Sequence, residues 1–444
     1  MKNKFLLGFA ALALLASCSD DEFGTTSAPT SYKVTAKYDD SFENQLAHKV
    51  KITITNTNSS EKYEILTNEA GEAVFQNVIP GVYDINATIT LNKTEFTSTF
   101  GYTPDADEVI FNASIGQTLV NTENTSKEIT LKTARLGDLV IKQIYYAGSH
   151  TTQGASFRDQ FIEIYNNSNE VIYADGLYLG QAYGVLNNTT TEYVQANGQW
   201  DWSRSIGMTV GAVANTDYTY CDYIYQIPGT GNQYPIQPGE SIVIAQSALN
   251  HKSPLVDNDG EAIEVVNPEL TIDLSTADFE VNYTAFRADL GLEPFRSDIE
   301  NPAVPNLNIT YVGRPGAYHA TTDMVFDNQG RDSFIIFRAE NFNFNDYALP
   351  NVLTLTSSTK FFVQIPANIV IDGVETQHVS NNIPKRLPET LDISATKVNT
   401  AFSTESVIRK TKQIVDGRTI LLDTNNSASD FSIIKANPRG FATN

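Results

Sequence analysis

From Tyr32 to the C-terminus, apolar residues recur at every second position, as in Val50-Lys51-Ile52-Thr53-Ile54, and polar turn clusters separate one such run from the next. Successive side chains of a strand point to opposite faces, so this period gives each segment one core face and one solvent face. Segments patterned this way pair into sheets that pack face to face. The best local exceptions are Thr284 to Gly291 and Gln246 to Leu249, short enough for single turns or stubby helices. The expected fold is therefore all-β, with tandem β-sandwiches in series, and 444 residues supply ample material for more than one core. Only 18 % of residues are charged, so Asn, Thr, Ser and Tyr must build much of the surface.

Residues 1–17 (MKNKFLLGFAALALLAS) combine a Lys2/Lys4 start with an apolar run too short to span a membrane as a mature helix, and read as a secretory signal. The run ends in Leu15-Ala16-Ser17-Cys18, which resembles the lipobox of bacterial lipoproteins; that resemblance implies lipid attachment at Cys18, whose acyl chains would anchor the protein in the outer-membrane lipid. Ser19, Asp20, Asp21 and Glu22 resemble the acidic export signal that carries many Bacteroidota lipoproteins to the outer face of that membrane. The same residues suit a solvated linker, and residues 18–31 are read as an acylated, flexible tether. With Cys18 acylated, only Cys221 remains, which precludes an intramolecular disulfide; its strand-like context TYCDYIYQI points to a buried, inert thiol.

Residues 32–134 form the first expected unit. Gly71 suits a hairpin turn, and Pro80-Gly81 presets another with one residue at positive φ. The spacing of Thr67, Gly71, Phe75, Pro80, Gly81 and Tyr83 resembles the ribbon of transthyretin-like, carboxypeptidase-regulatory domains, which implies a seven-stranded, non-catalytic spacer or docking module. In the rest of the chain, Phe161-Ile162-Glu163-Ile164-Tyr165-Asn166, the strand VIYADGLYL (171–179) and Pro238-Gly239-Glu240-Ser241-Ile242-Val243-Ile244 resemble the lamin-tail fold, an immunoglobulin-like sandwich. Residues 406–410 and 423–431 resemble its closing strands. One enlarged lamin-tail-like sandwich over 135–444 is preferred, with 251–330 as an excursion; two sandwiches divided near 250 is the alternative. Taken whole, the chain resembles an uncharacterised Bacteroidota surface-lipoprotein family that pairs these modules and has no established activity.

Catalytic signatures do not emerge. His48, His150, His251, His319 and His378 show no H-E-x-x-H spacing, although His150 and His319 could meet in the folded chain. There is no G-x-S-x-G elbow, no S-x-x-K in a helical context and no P-loop. Asp257, Asp259 and Glu261 surround a glycine turn and form a weak calcium candidate, against a plain acidic turn, because the spaced glutamate of an EF-hand is missing. No cofactor or further metal site is expected. A net charge of −22 opposes nucleic-acid phosphates, so no nucleic-acid partner is expected.

Aromatic residues concentrate in a long insertion, 183–220, with Tyr183, Tyr193, Trp200, Trp202, Tyr218 and Tyr220. In strand spacing, Trp200 and Trp202 share a face and could form a glycan or protein platform; as core residues they would plug the sandwich instead. The leading expectation is a non-enzymatic, lipid-anchored binding protein of the outer membrane, facing the extracellular side. It would assist a TonB-dependent transporter and take a glycan, peptide or metal chelate. The alternative is a structural or adhesive surface protein without a small ligand, and a secreted hydrolase ranks third. A flat aromatic patch would favour adhesion, and a concave site with convergent polar groups would favour a ligand.

Overall fold

A computed structural model describes residues 28–442 apart from 39–41, 60, 102–103, 105–107, 134–137, 157, 184–190, 314–321 and 416. Alternation builds an all-β protein of two sandwiches, as expected. The first contains β1 (Thr30–Tyr38), β2 (Lys51–Asn56), β3 (Lys62–Leu66), β4 (Glu72–Val78), β5 (Gly81–Asn92), β6 (Glu108–Val120) and β7 (Ser126–Thr133). They pair in the order β3-β2-β5-β6-β7-β1-β4, all antiparallel except β1 with β7. Inward residues such as Val34, Ile52, Ile54, Phe75, Ile85 and Phe111 fill its core.

Two local features differ from the sequence reading. Residues Lys93–Phe100 form helix α1 where only strands were expected. Asn92 accepts the backbone N–H groups of Thr94 and Glu95, and the Glu95 carboxylate accepts the Asn92 N–H, a reciprocal cap that overrides the β-branched threonines. Phe96 then packs into a cluster with Phe42, Phe100 and Phe111. Gly81 does not adopt the expected positive φ; the nearby positive φ is at Asn77 (58°), within β4, and a Cβ on Gly81 would lie 2.8 Å from Asn56 Nδ2, so that side chain would have to shift. Gly71 does adopt a positive φ of 68°, where a Cβ would lie 2.6 Å from the Ala36 carbonyl oxygen.

The second sandwich opens with β8 (Leu139–Tyr145), β9 (Phe161–Asn166), β10 (Ile172–Tyr173) and β11 (Tyr178–Tyr183). Next come β12 (Tyr218–Gln226), β13 (Pro235–Ile236), β14 (Ser241–Ala245) and the ribbon of β15 (Leu255–Val256) with β16 (Ala262–Ile263). Then follow β17 (Phe279–Glu280), helix α2 (Thr284–Asp289), β18 (Asn308–Val312), β19 (Asp332–Phe337) and β20 (Asp346–Ala348). β21 (Phe361–Pro366), β22 (Val370–Val374), β23 (Glu405–Arg409), the ribbon of β24 (Thr411–Val415) with β25 (Arg418–Leu421), and β26 (Phe431–Lys435) complete it. Residues 246–249 bend without a helical turn, whereas 284–289 are helical.

One sheet runs β20-β21-β12-β11-β19-β22, with β18 also on β12; the other runs β17-β14-β9-β8-β23-β26. Each contains strands from before and after residue 250, so a division there would cut both sheets. The main core, including Ile141, Phe161, Leu179, Tyr225, Ile244 and Ile336, draws on both. Among the described residues no helix is long and apolar enough to cross a membrane.

Buried charge is unusually dense in this unit. Lys142 meets Glu163 at 2.9 Å, Arg386 meets Glu375 at 2.8 Å and Arg409 meets Asp372 at 2.6 Å, all almost without solvent. Three further carboxyls are pushed up chiefly by burial: Asp159 to about 6, Glu280 to about 7 and Asp298 to about 8. In the unfolded chain such groups ionise near pH 4. The folded protein therefore holds more protons across this window, and its stability falls as the pH rises from about 4 through about 8. Thermal unfolding followed by circular dichroism should show a falling melting temperature over this range, and Asp298→Asn should make the fall shallower.

Candidate binding groove

The solvent faces of β2, β3 and β5 carry a polar array dictated by the period of two. Lys51, Thr53 and Thr55 project from β2, Lys62 and Glu64 from β3, and Asn86, Thr88 and Thr90 from β5; Thr53 is paired in register with Glu64 on one side and Asn86 on the other. Asp217 and Tyr218 at the start of β12, with Pro366 at the end of β21 and Ala367 and Asn368 after it, face this array from the second sandwich. The two walls enclose a cleft of about 440 Å³, within the roughly 300–1,000 Å³ of small-ligand sites.

Charges in the cleft are compensated: Lys62 Nζ lies 3.7 Å from Asp217 across the junction, and Lys51 Nζ lies 4.0 Å from Glu64. All four side chains are more than a third exposed, so these pairs contribute little stability. Asn86 contrasts with them, because its Oδ1 atom is buried and receives no hydrogen bond among the described residues. Asn86, Tyr218 and Pro366 also border a separate cavity of only about 10 Å³, whose far side is Asn343, Phe344 and Asn345. Asn341 and Asn343 are exposed and the phenylalanines half-buried; the Phe342 and Phe344 rings stand 5.3 Å apart at 85°.

Of the six aromatic residues expected at a binding surface, Tyr218 alone lines this groove among those whose side chains are described. Trp200, Trp202 and Tyr220 are fully buried with Val210, Ala214, Tyr347 and Phe362, so the expected exposed platform is corrected to a second core. Trp202 stacks on Tyr220 with ring centroids 3.9 Å apart. The physical reason is local: Trp202 begins a 3₁₀ turn, Trp202–Arg204, so strand spacing does not govern its direction. The insertion folds down as an aromatic cap on β12 and β21, whose Tyr220 and Phe362 it covers. Tyr193 is half-buried at the edge, with the Arg204 guanidinium 4.3 Å from its ring centroid. Tyr183 ends β11 opposite Asp332, and its side chain falls outside what is described.

The acidic turn has a structural occupation. Asp257 Oδ2 accepts Arg296 Nε at 2.5 Å, and its Oδ1 accepts the amides of Asp259 and Glu261. Among the described residues no three His, Cys, Asp or Glu side chains converge as a metal site, so the calcium candidate is withdrawn. His251 is buried and pushed down to about 4 by desolvation, while the Nδ1 atoms of His150 and His378 face backbone amides of their own turns; His319 lies outside the described residues. Cys221 is fully buried, its thiol pushed up by burial, and packs so closely on Gly180 that a Cβ there would lie 2.9 Å from Sγ. Cys18, Ser19, Asp20, Asp21 and Glu22 also lie outside the described residues. Sequence reasoning missed Asn86 and the 341–345 segment; the regular Asn-Phe alternation of the latter was the available signal.

Residues 237–438 match a family of proteins of unknown function, DUF4876. The chain is similar to the crystal structure of a DUF4876 family protein from Bacteroides thetaiotaomicron VPI-5482, at 22% identity over 94% of this chain and 99% of that one, with a TM-score of 0.51. That likeness shows a shared fold. A DUF3823 family protein from Bacteroides ovatus (11% identity, 49% of this chain and 99% of that one, TM-score 0.15) and the fimbrial protein FimP from Actinomyces oris (12%, 76% and 94%, 0.17) are too distant to support any argument. No protein with a curated description matches the chain.

Because Trp202 belongs to a core, Trp202→Ala should lower the unfolding free energy by about 3–5 kcal/mol. Urea denaturation followed by circular dichroism measures this; an unchanged midpoint would return the residue to the surface.

Proposed function

We propose that the protein is a non-enzymatic, lipid-anchored binding protein of the outer membrane, displayed on the extracellular side, whose ligand lies in the groove between its sandwiches. The observation that carries this is the concave, polar cleft of about 440 Å³ at the junction of the two sandwiches. Burial of Trp200 and Trp202 removes the flat aromatic patch that adhesion would use, which favours a ligand over a purely adhesive role. Acylation at Cys18 and the acidic run after it supply the anchor and address, and the segment between Cys18 and the start of β1 at Thr30, two residues shorter than the expected tether, spaces the first sandwich from the lipid. In this role the protein would present its ligand to a TonB-dependent transporter.

Protease shaving of intact cells tests display. The wild type should be cleaved, and a variant with Asp20, Asp21 and Glu22 replaced by Ala should be protected. Cys18→Ala should leave the membrane fraction. Protection of the wild type, with the envelope intact, would place the protein on the periplasmic side and overturn the surface role.

A further inference from the structure

We infer that a lobe of the second sandwich, built from the β15–β16 ribbon and the loop after α2, docks a protein surface rich in Lys and Arg, independently of any ligand in the cleft. Val256 on β15 is 61% exposed, and Leu290 and Leu292 just beyond α2 are 53% and 42% exposed. The two stretches are tied together. The Asn258 side-chain amide donates to the Phe295 and Asp298 carbonyls at 2.8 and 2.9 Å, its backbone N–H donates to the Arg296 carbonyl at 3.0 Å, and Asp257 accepts Arg296 Nε. Arg287 closes the leucine-bearing loop: its carbonyl accepts the Leu290 and Leu292 amides, and its Nε donates to the Glu293 carbonyl at 2.7 Å. Polar bonds thus set the shape of this loop, and the leucines are displayed on a preformed backbone, which lowers the ordering cost of a contact. Single exposed apolar residues are ordinary, whereas apolar side chains on one lobe within a charged rim mark an interaction surface.

Charge selects the partner. Residues 251–300 carry twelve Asp and Glu against three Lys and Arg, so 50 of the 444 residues hold nine of the 22 net negative charges. Asp259, Asp289 and Glu293, close in the chain to the apolar residues, are exposed, and the lobe's own Arg296 is engaged by Asp257. A rim of one sign steers oppositely charged partners and rejects like-charged ones. Nucleic acid and an anionic lipid surface are repelled. In a two-fold contact between copies of this chain, the same patch would meet itself and set acid against acid. A basic protein surface fits both features, because the aliphatic stems of Lys and Arg can cover the leucines while their charged heads reach the carboxylates.

Photo-crosslinking in intact cells tests the assignment, with the full-length protein carrying the photoreactive amino acid p-benzoylphenylalanine in place of Leu292 and, as a control outside the lobe, in place of Ile414, which is 68% exposed on β24. Position 292 should give a discrete adduct that position 414 does not, and the cross-linked peptide of the other protein, read by mass spectrometry, should hold more Lys and Arg than Asp and Glu. Adding Asp289→Asn and Glu293→Gln should lower the adduct yield about three-fold or more. All three side chains are exposed, so these proteins should keep the wild-type melting temperature, and a lost adduct then reports lost contact. No adduct at 292, the same adduct at 414, a cross-link to a second copy or to lipid, an acidic partner peptide, or a yield indifferent to the two neutralised acids would overturn the inference. The adduct forms on whichever side of the membrane the lobe faces, so this result stands apart from protease shaving and from occupancy of the cleft.

Discussion

The second sandwich depends on a buried ion pair, Arg409 with Asp372, that joins its two sheets along one edge. Asp372 lies on β22 of one sheet and Arg409 on β23 of the other, with 2.6 Å between the charged atoms. Asp372 Oδ2 also accepts the Ile141 amide, and Arg409 Nε donates to the Ile141 carbonyl, which ties β8 into the same junction. Asp423 and the Leu422 carbonyl receive another guanidinium nitrogen. Desolvating two charges is expensive, and the arrangement is tolerable because each charged group is met by several partners. Removing one partner from such a buried pair costs about 3–5 kcal/mol, far more than an exposed bridge contributes.

The groove is a consequence of packing elsewhere. Beneath it, Trp202 and Tyr220 stack, and Asn215 accepts the Trp202 amide while donating to Asp201, so the insertion is held to the sheet by apolar area and hydrogen bonds together. That cap shares a core with Tyr218, which opens into the groove. On the same sheet, the 3₁₀ turn Ala367–Ile369 approaches β6 of the first sandwich and brings the two walls together. The aromatic insertion thus supports the groove from behind, and shorter, polar side chains line it.

Legibility in the sequence tracked how local each determinant was. Alternation located most strands, because a period of two is a property of the strand itself. Helix α1 escaped that logic although its signal was equally local, an Asn92-to-Glu95 cap with Gly101 at its end. Trp200 and Trp202 were placed on one strand face by the same logic, which fails at a 3₁₀ turn. Asn86 could be assigned an outward face on β5, yet nothing nearby in the chain says that residues about 130 and 280 positions away will cover that face.

By itself the sequence determined an all-β fold in tandem sandwiches, the faces of its regular strands and the turn at Gly71, since these follow from backbone geometry over a few residues. Tertiary structure alone decided that the tryptophans face inward, that Asp257 belongs to Arg296, and that a hydroxyl-lined groove separates the sandwiches. The physical reason is that periodicity tells which residues share a face, whereas burial and pairing depend on what distant parts of the chain bring against it.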